Sequence, residues 1–261
     1  MIDLHAHILP GVDDGPASEE EAVAMARAAV GAGTRAIAAT SHVEAHFALG
    51  PDELEPARAA LADRLAREEI ALELLQGGEI APARLPDLDG ETLRALTLGG
   101  GPTVLLECPF GPVGAAMEPM VSDLRMRGFE VLLGHPERSP TFQRDPGRLE
   151  RLLELGATGQ VTAGSLAGGF GGTVRGVAQR MLEAGLVHVI ASDSHDAVQR
   201  PPDPRLAAAA LRERYGDVEA QLQWMTEAAP AAIVAGEPLP PRPPLPRPRG
   251  MRARLRAWSA R

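Results

Sequence analysis

The sequence has 261 residues, of which 44% are hydrophobic, which is enough to bury one substantial core. Its formal net charge is −9, so the chain as a whole has no electrostatic reason to bind nucleic acid. The single cysteine, Cys108, excludes an internal disulfide and a cysteine-rich zinc site, and it favours a reducing compartment. The chain opens without the basic stretch and apolar run of a secretory signal, so we expect a cytoplasmic protein.

Seven short apolar runs alternate with stretches of helical period, a pattern that predicts βα units around a parallel sheet. The first helix is the best marked, because Ser18 and Glu21 form a capping box before it and Gly31 or Gly33 ends it. The predicted strands are residues 1–4, 35–40, 72–76, 103–106, 130–133, 159–162 and 188–191. The other predicted helices are residues 51–69, 115–127, 146–155, 173–184, 203–215 and 218–228.

The composition changes near the end of the chain. Seven prolines fall within residues 238–248 and favour extended polyproline II. We therefore predict one folded domain, residues 1–237, and a flexible Pro/Arg-rich tail, residues 238–261. The tail carries seven Arg and no acidic residue. Three apolar residues recur there at helical spacing: Met251, Leu255 and Trp258. Such a segment is compatible with weak contact to a membrane surface.

Histidines and acidic residues follow six of the seven predicted strands. In a parallel β/α barrel the carboxyl ends of the strands share one face, so we expect these side chains to converge although they are scattered in sequence. Imidazoles and carboxylates are ligands of Zn, Mn and Fe, and eight of them exceed what one ion accepts, so two or three ions are implied. The eight residues are His5, His7, His42, Glu79, Glu107, His135, Asp193 and His195.

Two of these patterns are more specific than the others. His5 and His7 are separated by one residue, and Asp193 and His195 repeat that spacing. Side chains in a strand repeat their direction every two residues, so each pair lies on the same side of an extended chain. Two such pairs after apolar strands are hard to explain by packing alone.

The remaining candidates have more ordinary interpretations. A lone histidine is usually structural, and we interpret His46 and His188 in that way. Asp13 and Asp14 could be turn residues, but they follow His7 closely enough for one of them to reach the same ion. The glycine-rich residues 164–172 are predicted to form a loop, which is either simply flexible or approaches a substrate closely.

Arg138 and Arg200 lie a few residues beyond candidate ligands. A surface arginine is normally just solvated. Here each guanidinium would overhang a cluster of cations, a placement that makes sense if an anion binds between them, because arginine binds phosphate bidentately. A phosphate substrate is therefore a hypothesis of the sequence.

Together these motifs resemble the polymerase and histidinol phosphatase (PHP) superfamily, and within it the bacterial manganese-dependent protein-tyrosine phosphatases of capsule and exopolysaccharide biosynthesis. The resemblance covers residues 1 to about 237, and its first and last blocks are the most specific. The matching segments are residues 1–8, 12–16, 40–42, 78–80, 106–107, 135–138, 160–165, 191–195 and 200–202.

The resemblance implies a distorted (β/α)₇ TIM-like barrel with a trinuclear metal centre, in which Glu79 bridges ions. The expected ion is Mn²⁺, with Fe or Zn as alternatives. Asp14 joins the eight residues above as a ligand, and Arg138 and Arg200 contact phosphate. A metal-activated hydroxide would attack phosphorus, and a bound water or Asp193 would act as the acid. The implied substrate is a phosphotyrosyl protein, such as a membrane-associated tyrosine kinase.

Two positions depart from the family pattern. Val43 stands where many relatives have a second histidine, and Thr162 stands where asparagine is usual. Both departures concern substrate contacts more than metal binding.

Other functions remain open or are excluded by the sequence. A histidinol-phosphate phosphatase would have the same metal chemistry, and a catalytically silent phosphoprotein-binding module would keep the same fold. An amidohydrolase with a carboxylated lysine is excluded because the chain has no lysine. A thiol phosphatase loop starting at Cys108 would need arginine where the chain has Gly114.

Overall fold

Parallel strands form the centre of the fold, which a computed structural model describes for residues 1–47, 49–111 and 117–249. All seven predicted strands are present, and two further strands of two residues each, β3 and β5, continue β2 and β4 after a short break. The strands are β1 Ile2–Ala6, β2 Ala36–Ala39, β3 His42–Val43, β4 Glu73–Leu75, β5 Glu79–Ile80, β6 Thr103–Glu107, β7 Glu130–Gly134, β8 Thr158–Thr162 and β9 Val189–Ala191.

The strands pair in parallel throughout the two hydrogen-bonded groups. One group has the order β1-β2-β4, and the other has the order β3-β5-β6-β7-β8-β9. The segment after β9 returns to β1: the Asp193 amide donates to the His5 carbonyl, and the His7 amide donates to the Ser194 carbonyl. Because all paired strands run the same way, their carboxyl ends lie on one side of the fold.

Helices cover the outside of the strands, in the alternation that the sequence predicts. Each of the predicted helices has a counterpart, with ends that differ by a few residues. The described helices are α1 Glu19–Gly31, α2 Pro51–Arg67, α3 Gly90–Ala95, α4 Met117–Met126, α5 Pro140–Arg144, α6 Pro146–Glu154, α7 Ala163–Ala167, α8 Gly171–Glu183, α9 Leu206–Tyr215, α10 Glu219–Gln223 and α11 Ala229–Ala235.

The start of α1 confirms the predicted cap with one change. The Glu21 amide donates to the Ser18 hydroxyl at 3.3 Å, as a capping box requires. The Glu21 carboxylate, however, accepts from the amide of Ala17 at 2.7 Å. The helix is therefore tied to the residue before its cap, which fixes how the chain enters α1.

The prediction of a glycine-rich loop at residues 164–172 is wrong. Ala163 and Leu166 are fully buried and anchor the one-turn helix α7. Gly168 ends this helix at φ +95°, a conformation that glycine adopts without steric cost. Gly171 then begins α8, so the glycines separate two helices instead of forming a long loop.

The helix predicted at residues 218–228 is α10 followed by a π-helical turn, Trp224–Ala228, that continues into α11. Pro230 lies in the first turn of α11. Proline has no amide hydrogen to donate to the preceding turn, and a wider turn accommodates that missing bond.

Both faces of the strands are buried, as is usual for parallel sheets. One set of side chains forms an inner cluster that includes Leu4, Leu105, Leu132 and Val189. The alternate residues pack under the helices in the larger outer cluster, for example Leu106. Because both faces of the strands are occupied mainly by apolar side chains, the polar side chains gather at the carboxyl ends of the strands.

The described part of the tail, up to Arg249, lies against the domain. The Trp224 indole donates to the Pro240 carbonyl at 3.0 Å. The Arg242 guanidinium stacks over the Trp224 ring at 4.8 Å and donates to the Gly185 carbonyl at 2.6 Å. The predicted apolar stripe of Met251, Leu255 and Trp258 lies outside the described residues, and the flexibility of the tail stays a prediction.

Candidate metal centre

Glu79 occupies the middle of a cluster at the carboxyl ends of the strands. It is 1% exposed, and four imidazoles surround it. Its Oε1 lies 2.8 Å from His135 Nε2 and 3.3 Å from His5 Nε2. Its Oε2 lies 3.0 Å from His42 Nδ1 and 3.5 Å from His7 Nε2. One buried carboxylate thus contacts side chains from the ends of three other strands.

Overlapping sets of ligand atoms surround this carboxylate. Within each set, the nitrogen and oxygen atoms lie within 4.8 Å of one another. Among the described residues there are four such sets, and together they contain all nine residues that the resemblance marks as ligands. The sets are His7, Asp14, His42 and His195; His5, His7 and Asp193; His5, Glu79 and His135; and His42, Glu79 and Glu107.

Asp13 and Asp14 have different positions. Asp13 Oδ2 lies 2.8 Å from His7 Nδ1 and accepts from the His42 amide at 3.0 Å. It therefore orients the His7 ring and fixes the backbone at His42. Asp14 Oδ1 instead lies 3.2 Å from His195 Nε2 and 3.5 Å from His42 Nε2. Of the two aspartates, Asp14 is therefore the one placed among the candidate ligands.

The turn that carries these aspartates requires a glycine. A Cβ atom at Gly15 would lie 2.4 Å from the His7 carbonyl oxygen, a distance that backbone atoms do not permit. The Gly15 amide also donates to Asp13 Oδ1 at 3.0 Å. The glycine thus lets the turn fold back on His7 and hold Asp13 in place.

Two candidate ligands have a strained backbone. His135 and Asp193 have φ angles of +35° and +51°. Residues other than glycine rarely adopt this left-handed region, and the few that do cluster at functional sites. His135 follows Gly134, where a Cβ atom would lie 3.4 Å from the Glu79 carboxylate.

Gln160 is a site residue that the sequence reasoning missed. Its Oε1 lies 3.0 Å from His5 Nδ1 and accepts from the His135 amide at 3.3 Å. With its Nδ1 donating to this amide oxygen, His5 keeps Nε2 free on the side of Glu79 and Asp193. A glutamine within the predicted strand β8, whose residues are largely buried, was the available signal.

Arg138 and Arg200 converge on one carboxylate of the cluster, that of Asp193. Arg138 Nη1 pairs with Asp193 Oδ2, and Arg200 Nη2 lies 2.8 Å from the same oxygen. The Arg138 guanidinium also lies over the Phe170 ring at 4.4 Å. The two predicted arginines are therefore neighbours, and both remain partly exposed at the edge of the site.

The electrostatics of the cluster show an excess of buried negative charge. Burial and the Glu79 charge both raise the pKa of Glu107. Burial would also raise the pKa of Asp193, but the His5 charge opposes it, and the pKa is about 2. Burial lowers the pKa of His7, but Asp13 and Glu79 raise it to about 10. Protons on imidazoles thus balance carboxylates that a bound cation would also balance.

The two histidines interpreted as structural lie apart from the ligand sets. His188 Nδ1 accepts from the Gly159 amide at 3.1 Å, and burial lowers its pKa to about 4. His46 contacts the Phe47 ring edge-on at 5.0 Å.

Of the two positions that depart from the family pattern, Val43 is fully buried in β3, whereas the Thr162 amide donates to the buried Glu137 carboxylate at 2.9 Å.

A family model described as capsular polysaccharide synthesis, CpsB/CapC, matches residues 1–233. The chain belongs to the CpsB/CapC family. Among its relatives, it is 34% identical to tyrosine-protein phosphatase YwqE of Bacillus subtilis, over 94% of this chain and 96% of that protein. It is 30% identical to tyrosine-protein phosphatase CpsB of Streptococcus pneumoniae, over 85% of this chain and 93% of that protein.

Two solved structures are similar to this chain. One from the work on YwqE and CpsB, described as unique metal-dependent tyrosine phosphatases, superposes with a TM-score of 0.81 at 34% identity, covering 94% of this chain and 99% of that one. A β-aspartyl dipeptidase from Fervidobacterium islandicum superposes with a TM-score of 0.52 at 14% identity, covering 89% of this chain and 72% of that one. The second similarity shows a shared fold only.

Gln160 generates a prediction that separates orientation from ligation. Gln160→Leu keeps the volume but removes the acceptor for His5 Nδ1, so we expect Mn²⁺ affinity to fall about 10- to 100-fold. Calorimetric titration of the metal-free protein measures this affinity. Gln223→Leu, at an exposed helical position, is the matched control and should bind Mn²⁺ like the parent protein. Equal affinities in the two variants would remove Gln160 from the site.

Proposed function

We propose that this protein is a metal-dependent protein-tyrosine phosphatase that acts in capsule or exopolysaccharide synthesis. The observation that carries the proposal is the placement of two arginines beside four overlapping sets of ligand atoms. Such a site offers cations and guanidinium groups to one phosphoryl group. Membership of the CpsB/CapC family, whose named relatives are tyrosine-protein phosphatases, gives the substrate class.

The residues present fit two or three divalent ions. Nine imidazoles and carboxylates face one another, and Glu79 Oε2 and His135 Nδ1 are buried without a hydrogen-bond partner. We propose His5, His7, Asp14, His42, Glu79, Glu107, His135, Asp193 and His195 as the ligands, and Mn²⁺ as the ion. When bound, such ions supply Lewis acidity, which makes water nucleophilic near neutral pH and offsets phosphoryl charge.

Arg138 and Arg200 would bind the phosphoryl oxygens. Both now pair with Asp193, so a phosphate would replace a carboxylate as their common partner. Guanidinium groups held in advance lose little freedom on binding and stabilise charge that develops in the transition state. Asp193, with its pKa of about 2, is ionised at neutral pH, which favours its roles as ligand and acceptor over the role of acid.

The leaving group favours the tyrosine substrate. A phenol has a pKa of about 10 and therefore departs with little help from an acid. The alternative, a small-molecule phosphatase acting on histidinol phosphate, needs a proton for a poorer alkoxide leaving group. An ionised Asp193 supplies none, so for that substrate a bound water would have to act as the acid.

The remaining parts of the proposal concern architecture and location. We propose that the two strand groups, joined where β2 leads into β3 and β4 into β5, form a distorted seven-stranded (β/α)₇ barrel closed by the contact of β1 with the segment after β9. The domain would comprise residues 1–237.

Within the described part of the chain no helix is long and apolar enough to cross a membrane. We propose the cytoplasm as the location.

The phosphotyrosyl partner would be a membrane-associated tyrosine kinase. The Arg-rich end of the chain supports this proposal, since each basic residue near an anionic membrane contributes on the order of 1 kcal/mol. The described tail follows the domain surface as far as Arg249, whose amide donates to the Arg214 carbonyl at the end of α9.

The first prediction of the proposed function concerns the activity and its metal dependence. The full chain, stripped with a chelator, should lose activity and regain it with Mn²⁺, because the proposed nucleophile depends on the ions. Three substrates are compared: a phosphotyrosyl peptide, the same peptide with phosphoserine, and histidinol phosphate. The phosphotyrosyl peptide should be hydrolysed fastest. Undiminished turnover by demonstrably metal-free protein, or a preference for histidinol phosphate, would contradict the proposal.

The second prediction concerns the arginines. Arg200→Ala removes a charge-assisted contact that strengthens in the transition state, so activity should fall roughly 10²- to 10³-fold. Metal content, measured by elemental analysis, should not change. Arg205→Ala is a matched control, because Arg205 pairs with Asp203 at the surface and not with Asp193. If Arg200→Ala loses metal in proportion to turnover, Arg200 supports the centre and does not bind phosphate.

The third prediction concerns the tail. Removing residues 250–261 spares the Pro240 and Arg242 contacts with Trp224 but deletes four of the seven arginines. Hydrolysis of a small aryl phosphate should be unchanged, whereas salt-sensitive sedimentation with vesicles of anionic lipid should be lost. If the full chain fails to sediment with these vesicles at low salt, the tail is no membrane contact.

A further inference from the structure

Aromatic rings continue the histidines of the site at both ends. Phe47 stacks on His42 at 5.7 Å, and Phe110 stacks on His135 at 5.5 Å. Between them the imidazoles follow one another at 4.4 to 5.4 Å, in the order His42, His7, His5 and His135. The chain has only five phenylalanines, one tyrosine and two tryptophans, so two rings at the ends of this row are a considerable share of its aromatic residues.

Phe110 is the ring of this row that solvent reaches most. It is 49% exposed, although a phenylalanine side chain usually gains by burial. It follows β6 and Glu107 in sequence, so its exposure is at the carboxyl side of the strands. Among the described residues Met126 is also strongly exposed, at 80%, but it lies at the end of α4, which leads into the amino end of β7 and so lies away from the carboxyl ends of the strands.

Phe110 also contacts the group that would hold phosphate. The Arg138 guanidinium lies 5.0 Å from the Phe110 ring centre and 4.4 Å from the Phe170 ring centre. The guanidinium is therefore held between two aromatic rings, which favours a fixed orientation. An anion bound to Arg138 lies next to the exposed part of Phe110.

We propose that Phe110 binds the aromatic ring of the substrate and so selects aryl phosphates over alkyl phosphates. This inference rests on the proposed phosphatase function and names the residue that recognises the leaving group. In an aryl phosphate a single oxygen joins the ring to phosphorus, and Arg138 lies 5.0 Å from the Phe110 ring centre, so the ring of a phosphate held on Arg138 can reach Phe110 at the 4.5 to 7 Å at which aromatic pairs interact. A phosphoserine offers only a methylene group at that position.

A role for Phe110 in supporting other site residues and a role in binding the substrate ring predict different effects of its removal on binding. If Phe110 serves only to hold His135 or Arg138, its removal weakens metal binding or the binding of every phosphate alike. If it binds the substrate ring, its removal weakens only ligands that carry a ring. The two roles are separated by a pair of ligands with the same charged group and different substituents.

Phenylphosphonate and methylphosphonate form such a pair, and neither is hydrolysed by the proposed chemistry. Each is titrated calorimetrically into the Mn²⁺-loaded full chain, so binding is measured without turnover. We expect the parent protein to bind phenylphosphonate about 10-fold more tightly than methylphosphonate. Phe110→Ala should bring the two affinities together by weakening phenylphosphonate alone, and Phe110→Tyr, which keeps the ring, should preserve the preference.

Met126→Ala is the matched control, since it also removes an exposed apolar side chain, and it should keep the preference of the parent protein. The proposal is overturned if the parent binds both phosphonates equally, if Phe110→Ala weakens both to the same degree, or if Phe110→Ala loses Mn²⁺. A failure of the phosphatase proposal is recognised separately: phosphotyrosyl peptide would not be hydrolysed by Mn²⁺-loaded protein, whatever the phosphonate affinities.

Discussion

The burial of one carboxylate, Glu79, governs the arrangement of the site. A charged carboxylate removed from water is costly unless opposite charges and hydrogen bonds surround it. Burial would raise the pKa of Glu79, but the His5 charge and a hydrogen bond with His135 hold it well below its usual range. The strands bearing these imidazoles must end beside Glu79 for the charge to be tolerated. The stability of the carboxyl side and its capacity to hold cations therefore have the same origin.

Several neighbours hold the ligand atoms in fixed directions. Asp13 binds the far nitrogen of His7, and Gln160 binds that of His5, so each ring presents its other nitrogen to the cluster. The left-handed backbone at His135 and Asp193 stores strain that the packed surroundings maintain. These supports restrict the ligands before any ion arrives, which lowers the entropic cost of binding.

The edge of the centre combines positive charge with aromatic surface. Asp193 faces the imidazoles with one oxygen and Arg138 and Arg200 with the other, so it links the proposed metal site to the proposed phosphate site. Phe110 and Phe170 flank the Arg138 guanidinium. Charge neutralisation and ring recognition thus lie side by side, and that combination suits a phosphate ester of a phenol better than one of an aliphatic alcohol.

The sequence by itself determined seven of the described strands, the main helices and eight of the nine residues that gather at the centre, because these depend on local patterns: apolar periodicity, His-x-His and Asp-x-His spacing, and a candidate ligand after six of the seven predicted strands. Tertiary structure decided what depends on contacts between distant segments. Gln160 meets His5 across 155 positions, and Phe110 meets Arg138 through the ends of different strands. The division of roles between Asp13 and Asp14 depends on how one turn folds back on His7. The glycine-rich segment became helical because Ala163 and Leu166 found a buried place, which no local preference of glycine foretells.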